Sequence, residues 1–188
     1  MKKWIIGSLV GAVIVFFWQF LSWTVLGVHD NAVKHHPAQD SILSVLSSTI
    51  QEDGSYMLPS PPPGSSSEEH QAMAKEMDGK PWATVVYHQA FDADMMRPMI
   101  RGFLIDLFLV FTLIYILTRG GIPAPIRVVA GSVAVGLFTF LWGPYNGHNW
   151  YDLPMDMIMG DLVDGIVAWG LCGIWLGWWL NRKPSAKA

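Results

Sequence analysis

Asp161 and Asp164 stand three residues apart in an otherwise apolar stretch, Asp152 to Leu180, whose later part from Ile166 to Leu180 carries no charge. At that spacing both carboxylates share one face of a helix. A carboxylate inside hydrocarbon is costly to keep ionised and unpaired, so it pairs, takes up a proton or binds a cation. Arg101 and Asp106 interrupt a second apolar stretch, Ile100 to Thr118, in the same way. The four residues Arg101, Asp106, Asp161 and Asp164 form the first candidate cluster. One reading is a proton- or cation-binding pocket gated by Arg101. The competing one is an Arg–Asp clasp between the second and fourth helices that serves packing and register alone.

Two further sets carry metal-ligand chemistry. His88 and Asp92 are four apart, and His148 lies in the GPYNGHNWYDLP segment just before the acid-bearing stretch. Two imidazoles and a carboxylate are a common donor set, yet none of the familiar zinc spacings is present, and exposed loop histidines are the plainer reading. Met95, Met96 and Met99 (DMMRPM) and Met155, Met157 and Met159 (PMDMIMG) bracket the same boundary of the apolar stretches. Thioethers select Cu(I) among biological metals. Methionine also fills gaps at helix ends or adapts a surface to a partner, and M-x-M-x-M spreads its sulfurs around a helix instead of along one face. No nucleophile–base arrangement, phosphate loop or cofactor fingerprint occurs, so no catalytic residue and no cofactor is assigned. The lone Cys172 excludes a disulfide framework and a thiolate cluster.

The elements that hold these residues are membrane helices. The chain is 52% apolar and 14% charged, against about 25% charged in soluble domains. Four stretches approach the roughly 20 residues needed to cross hydrocarbon: Trp4–Val28, Ile100–Thr118, Ile126–Trp142 and Met157–Leu180. The first follows Lys2 and Lys3, is too long for a secretory core and lacks a cleavage site, so residues 1–28 read as an uncleaved signal anchor. Residues 29–98 are polar. A helix start at Asp40-Ser41, a capping box from Ser66 to Glu69, and strand-like Tyr56–Leu58 and Trp82–His88 predict a small α/β cap. Residues 99–188 form a three-helix membrane region with a short tail. The fold class expected is an all-α polytopic membrane protein, four transmembrane helices with an α/β extracytoplasmic cap between helices 1 and 2.

Sidedness follows from the cations at the span ends. Lys2, Lys3, Arg119, Arg127, Arg182, Lys183 and Lys187 fall on one side if both termini are cytoplasmic; Arg97 and Arg101 oppose the rule. All fifteen acids, all six histidines and nine of ten methionines then lie on the exterior side or in the outer part of a span. A net charge of −3 gives no reason to expect nucleic acid. Gly7 and Gly11 in the first span, and Gly165, Gly170, Gly173 and Gly177 in the fourth, are small-residue faces for another helix. The function expected is an accessory or scaffold subunit in the plasma membrane, a bacterial inner membrane by its compactness. It would act on the extracytoplasmic face and bind the bilayer, and either another membrane protein or itself through the glycine-lined fourth helix. The alternative is a metal (copper-like), proton or cation site on that face, with a transport, metal-handling or enzymatic role.

Overall fold

The structure, a computed structural model, describes residues 2–183; Lys187 lies outside them. In chain order the elements are α1 (Lys2–Thr24), α2 (Gln39–Thr49), β1 (Gly54–Leu58), α3 (Ser67–Met77), β2 (Ala83–Tyr87), α4 (Met96–Thr118), α5 (Pro125–Phe140), a π-helical turn (Leu141–Tyr145), α6 (Asn146–Tyr151) and α7 (Met155–Asn181). They fall into two compact units, residues 35–93 and the remainder. The small unit is therefore narrower than the expected 29–98, because residues 29–34 and 94–98 belong with the long helices.

Among the described residues, four helical runs are long and apolar enough to span a membrane: α1, α4, Pro125–Tyr151 and α7, of 23, 23, 27 and 27 residues. Each exceeds what roughly 30 Å of hydrocarbon requires at about 1.5 Å per residue. The third was expected to stop at Trp142, with Gly143-Pro144 opening a loop. It continues to Tyr151 instead. Proline has no N–H to donate and its ring clashes with the preceding turn, and the π turn around Pro144 widens the backbone at that point. Asp152, in the left-handed region at φ 53°, ends the run, and Pro154 caps the start of α7.

Helix α7 is the centre of this unit. α5 packs along one side of it and α1 along another, while α4 packs mainly on α1. The second and fourth spans, expected to be neighbours, thus have α1 set between them. The α5–α7 seam is built from glycines: a Cβ on Gly136 would collide with the Gly165 carbonyl oxygen, and one on Gly173 would sit 2.8 Å from Ser132 Cβ. Gly177 lies against Pro125 in the same way. The glycine-lined face of the fourth span is filled largely by this chain's own α5. Gly7 and Gly11 of α1 receive Trp179, Val110 and Cys172. The buried core includes Val110, Leu113 and Ile114 of α4, Val128 of α5, and Ala168, Trp169, Cys172, Leu176 and Leu180 of α7.

At one end of the bundle, Trp179 Nε1 donates to the Lys3 carbonyl (2.7 Å), Lys3 Nζ to the Arg182 carbonyl (2.6 Å), and Asn181 Nδ2 to the Pro123 carbonyl (3.1 Å). Lys2, Lys3, Arg119, Arg127, Arg182 and Lys183 therefore gather at that end. The three aspartates of the spans lie toward the other.

In the small unit, β1 and β2 pair antiparallel with Gly54 opposite Tyr87 and Leu58 opposite Ala83. The capping box forms as its sequence specifies: Ser66 Oγ accepts from the Glu69 amide (3.2 Å) and Glu69 Oε2 from the Ser66 amide (2.7 Å). Tyr87 is the one buried residue of this unit, which leaves a two-stranded sheet with almost no core beneath it.

Candidate functional site

The polar chemistry of the bundle converges on α1, a helix that the charged residues do not mark. Trp18 and Ser22 are one turn apart and share a face, with Gln19 beside them. This face turns toward α4 and α7. Trp18 Nε1 donates to Asp164 Oδ1 at 2.8 Å, and Ser22 Oγ donates to the same oxygen at 2.6 Å. Oδ2 lies 3.0 Å from His29 Nε2, in the loop that follows α1. The His29 side chain is 3% exposed and Asp164 17%. The imidazole stacks on Trp23, ring centroids 4.0 Å apart and planes 7° from parallel. Its other edge rests on Gly160, where a Cβ would meet Nδ1 at 2.5 Å.

This arrangement fixes where a proton can reside. Indole N–H only donates, so Asp164 Oδ1 is held as an acceptor. Any proton on Asp164 sits on Oδ2, facing His29. An ionised Asp164 receives Nε2–H from His29, and a protonated Asp164 donates to a bare Nε2. Both states keep every hydrogen bond.

Asp106 has no such shell. It is 4% exposed, its Oδ1 accepts a long 3.4 Å bond from Gln19 Nε2, and its Oδ2 is buried with no partner. Arg101, expected as its counter-charge, is exposed and forms no ion pair with it. One cavity of about 480 Å³ is bordered by Asp106, Asp161 and Asp164 together with Gln19, Trp23 and Phe140. Pro144 of the π turn and Trp169 of α7 also line it, and among the described residues no lysine or arginine does. A second cavity of about 350 Å³ also borders Trp23, Pro144 and Asp161 and adds His29 and Met157. Asp161 thus belongs to both spaces. The three carboxylates were expected together and are found around one cavity; Arg101 was expected with them and is not there.

The other candidate ligands are dispersed. His88 Nδ1 lies 3.2 Å from Asp53 Oδ2 in the small unit. Asp92 is exposed in the irregular segment after β2. His148 Nδ1 lies 2.6 Å from the Leu153 carbonyl oxygen, so it donates there. Met95, Met96 and Met99 begin α4, Met155, Met157 and Met159 begin α7, and all six side chains are exposed. The two methionine groups begin helices that meet through core side chains, with α1 packed on both. Among the described residues, no group of three histidine, cysteine or acidic side chains is placed to hold a metal ion.

Sequence reasoning missed Trp18, Gln19, Ser22, Trp23 and His29. The signal available was the composition of α1, whose last two turns carry WQ and SWT in a helix otherwise apolar after Lys3 apart from Ser8. No protein-family model, curated protein or solved structure matches this chain.

Proposed function

We propose that this chain is a small integral membrane protein whose helical bundle binds a proton or a cation in the acid-bordered cavity, with Asp106 as the binding group. The observation that carries this reading is the contrast between its two buried acids. Asp164 is satisfied on both oxygens, while Asp106 keeps one buried oxygen without a partner. An ionised carboxylate left in that state costs several kcal/mol, so the group carries a proton or exchanges it for a cation. A purely structural clasp would have both acids paired. The cationic end of the bundle favours cytoplasmic termini; with that orientation the cavity faces the extracytoplasmic side of a plasma membrane, and the compact chain suits a bacterial inner membrane.

The test is modification of the purified full chain by dicyclohexylcarbodiimide, which attacks protonated carboxyl groups in apolar surroundings, read by peptide mass spectrometry across pH. Labelling at Asp106 that falls as pH rises is expected. Absence of labelling at Asp106 at every pH would refute the reading.

A second role rests on the small unit. With Tyr87 as its one buried residue, and with Leu43, Val86 and Phe91 exposed, residues 35–93 have apolar surface suited to a protein partner, in keeping with an accessory subunit. Co-purification of a stoichiometric polypeptide that is lost when residues 35–93 are replaced by a glycine-serine linker would support this role. Retention of that polypeptide by the linker variant would exclude it.

A further inference from the structure

We propose that the cavity takes a small organic ammonium ion, an alkyl- or arylammonium; this rests on the cation-site reading and names the class of its ligand. Three features of the lining point to it. First, the cavity of about 480 Å³ is the size of a small-molecule site, far larger than a dehydrated inorganic ion fills. Second, its acids stand around the space instead of converging on one point, and among the described residues no three ligating groups lie together. That pattern matches a charge spread over a substituted nitrogen better than a bare metal ion, which needs several donors at short range. Third, three of the remaining lining residues are aromatic. Trp23, Phe140 and Trp169 border the cavity with the carboxylates, and ring faces beside an acid are the usual recognition chemistry for alkylated nitrogen.

The charge balance agrees. No lysine or arginine lines the cavity, and His29 is engaged by Asp164. Asp106 borders the cavity and keeps one buried oxygen without a partner, so its charge is not balanced by the protein's own groups and favours a cation beside it. A second space, beside His29 and Met157, shares Trp23, Pro144 and Asp161 with the main cavity. The stacked Trp23–His29 pair stands at that junction.

The experiment uses the full chain in detergent and the same carbodiimide labelling of Asp106, now with added benzyltrimethylammonium, its uncharged carbon isostere neopentylbenzene, or sodium chloride. Protection by the ammonium at concentrations where neither the isostere nor sodium protects is the expected result. Phe140→Leu should weaken that protection by about tenfold. Labelling that follows pH but is unaffected by the ammonium, or is equally reduced by the isostere, would overturn the ligand assignment and leave the proton site standing. Protection by sodium alone would do the same. No labelling at all would overturn both.

Discussion

His29 Nε2 and Asp164 Oδ2 face each other at 3.0 Å, and the opposite edge of the same imidazole lies against Gly160, where no side chain larger than hydrogen fits. The pair joins the loop after α1 to the middle turns of α7 across 135 residues of sequence. Gly160→Ala would place a methyl 2.5 Å from His29 Nδ1, driving the ring off Asp164 without altering either partner. The expected loss is about 1–3 kcal/mol, from overpacking and a broken hydrogen bond. His29→Ala should cost a similar amount, and the double variant no more than the worse single one, because both remove the same contact. Unfolding of the three variants in mixed micelles measures this; additive losses would show that Gly160 acts through something other than His29.

The two buried acids should respond oppositely to substitution. Asp164→Ala leaves Trp18 N–H, Ser22 O–H and His29 without a partner, at a cost of about 3 kcal/mol or more. Asp164→Asn should be mild, since the amide oxygen can accept from Trp18 and Ser22 while its N–H₂ donates to His29 Nε2. Asp106→Asn removes a carboxylate with an unfilled oxygen and should leave stability unchanged or raise it, as substitutions at strained functional positions do. Thermal denaturation in one detergent compares the three. A loss at Asp106→Asn as large as that at Asp164→Ala would make Asp106 a structural residue.

In the small unit, the Gln89 amide donates to Asp53 Oδ1 at 3.0 Å and His88 Nδ1 approaches Oδ2 at 3.2 Å. These bonds, the Gln89 amide first and His88 second, hold the Asp53 carboxyl below its ordinary value of 3.8. A lowered folded value means that the tie is fully present above pH 3.8 and is lost as pH falls through the lower folded value. The amide shift of Gln89 should therefore show a movement below about pH 4 that Asp53→Ala abolishes. Persistence of the acid movement in Asp53→Ala would assign it to another group.

Much of the frame was legible in the residues. The four spans, the capping box at Ser66 and the paired strands follow from local composition and period, which are properties of neighbouring residues. The three acids were legible because a charge in an apolar run stands out. Their shell was not: Trp18 and Ser22 reach Asp164 across 146 and 142 residues, and tryptophan and serine are unremarkable within a membrane helix. Helix order was equally hidden, since spacing along the chain does not say that α1 lies between α4 and α7. Arg101 misled for the same reason, as one turn along a helix places it near Asp106 in sequence while its side chain points outward. Pro144 misled in the other direction, as a strong local breaker accommodated by a widened turn.

The seam at Gly136 and Gly165 has a mechanical consequence for the cavity beside it. There α5 and α7 touch backbone to backbone, with no side chain between them to change rotamer, so that wall behaves as a fixed frame. The opposite wall is different in kind: α4 carries Asp106 and meets the rest of the bundle through side chains, Gln19 of α1 and the core residues Val110, Leu113 and Ile114. The bundle is thus stiff on one flank and compliant on the other. A change in what Asp106 holds would be taken up as displacement of α4, while Asp161 and Asp164, the latter tied to α1 through Trp18 and Ser22, stay in place as the reference against which that movement is made.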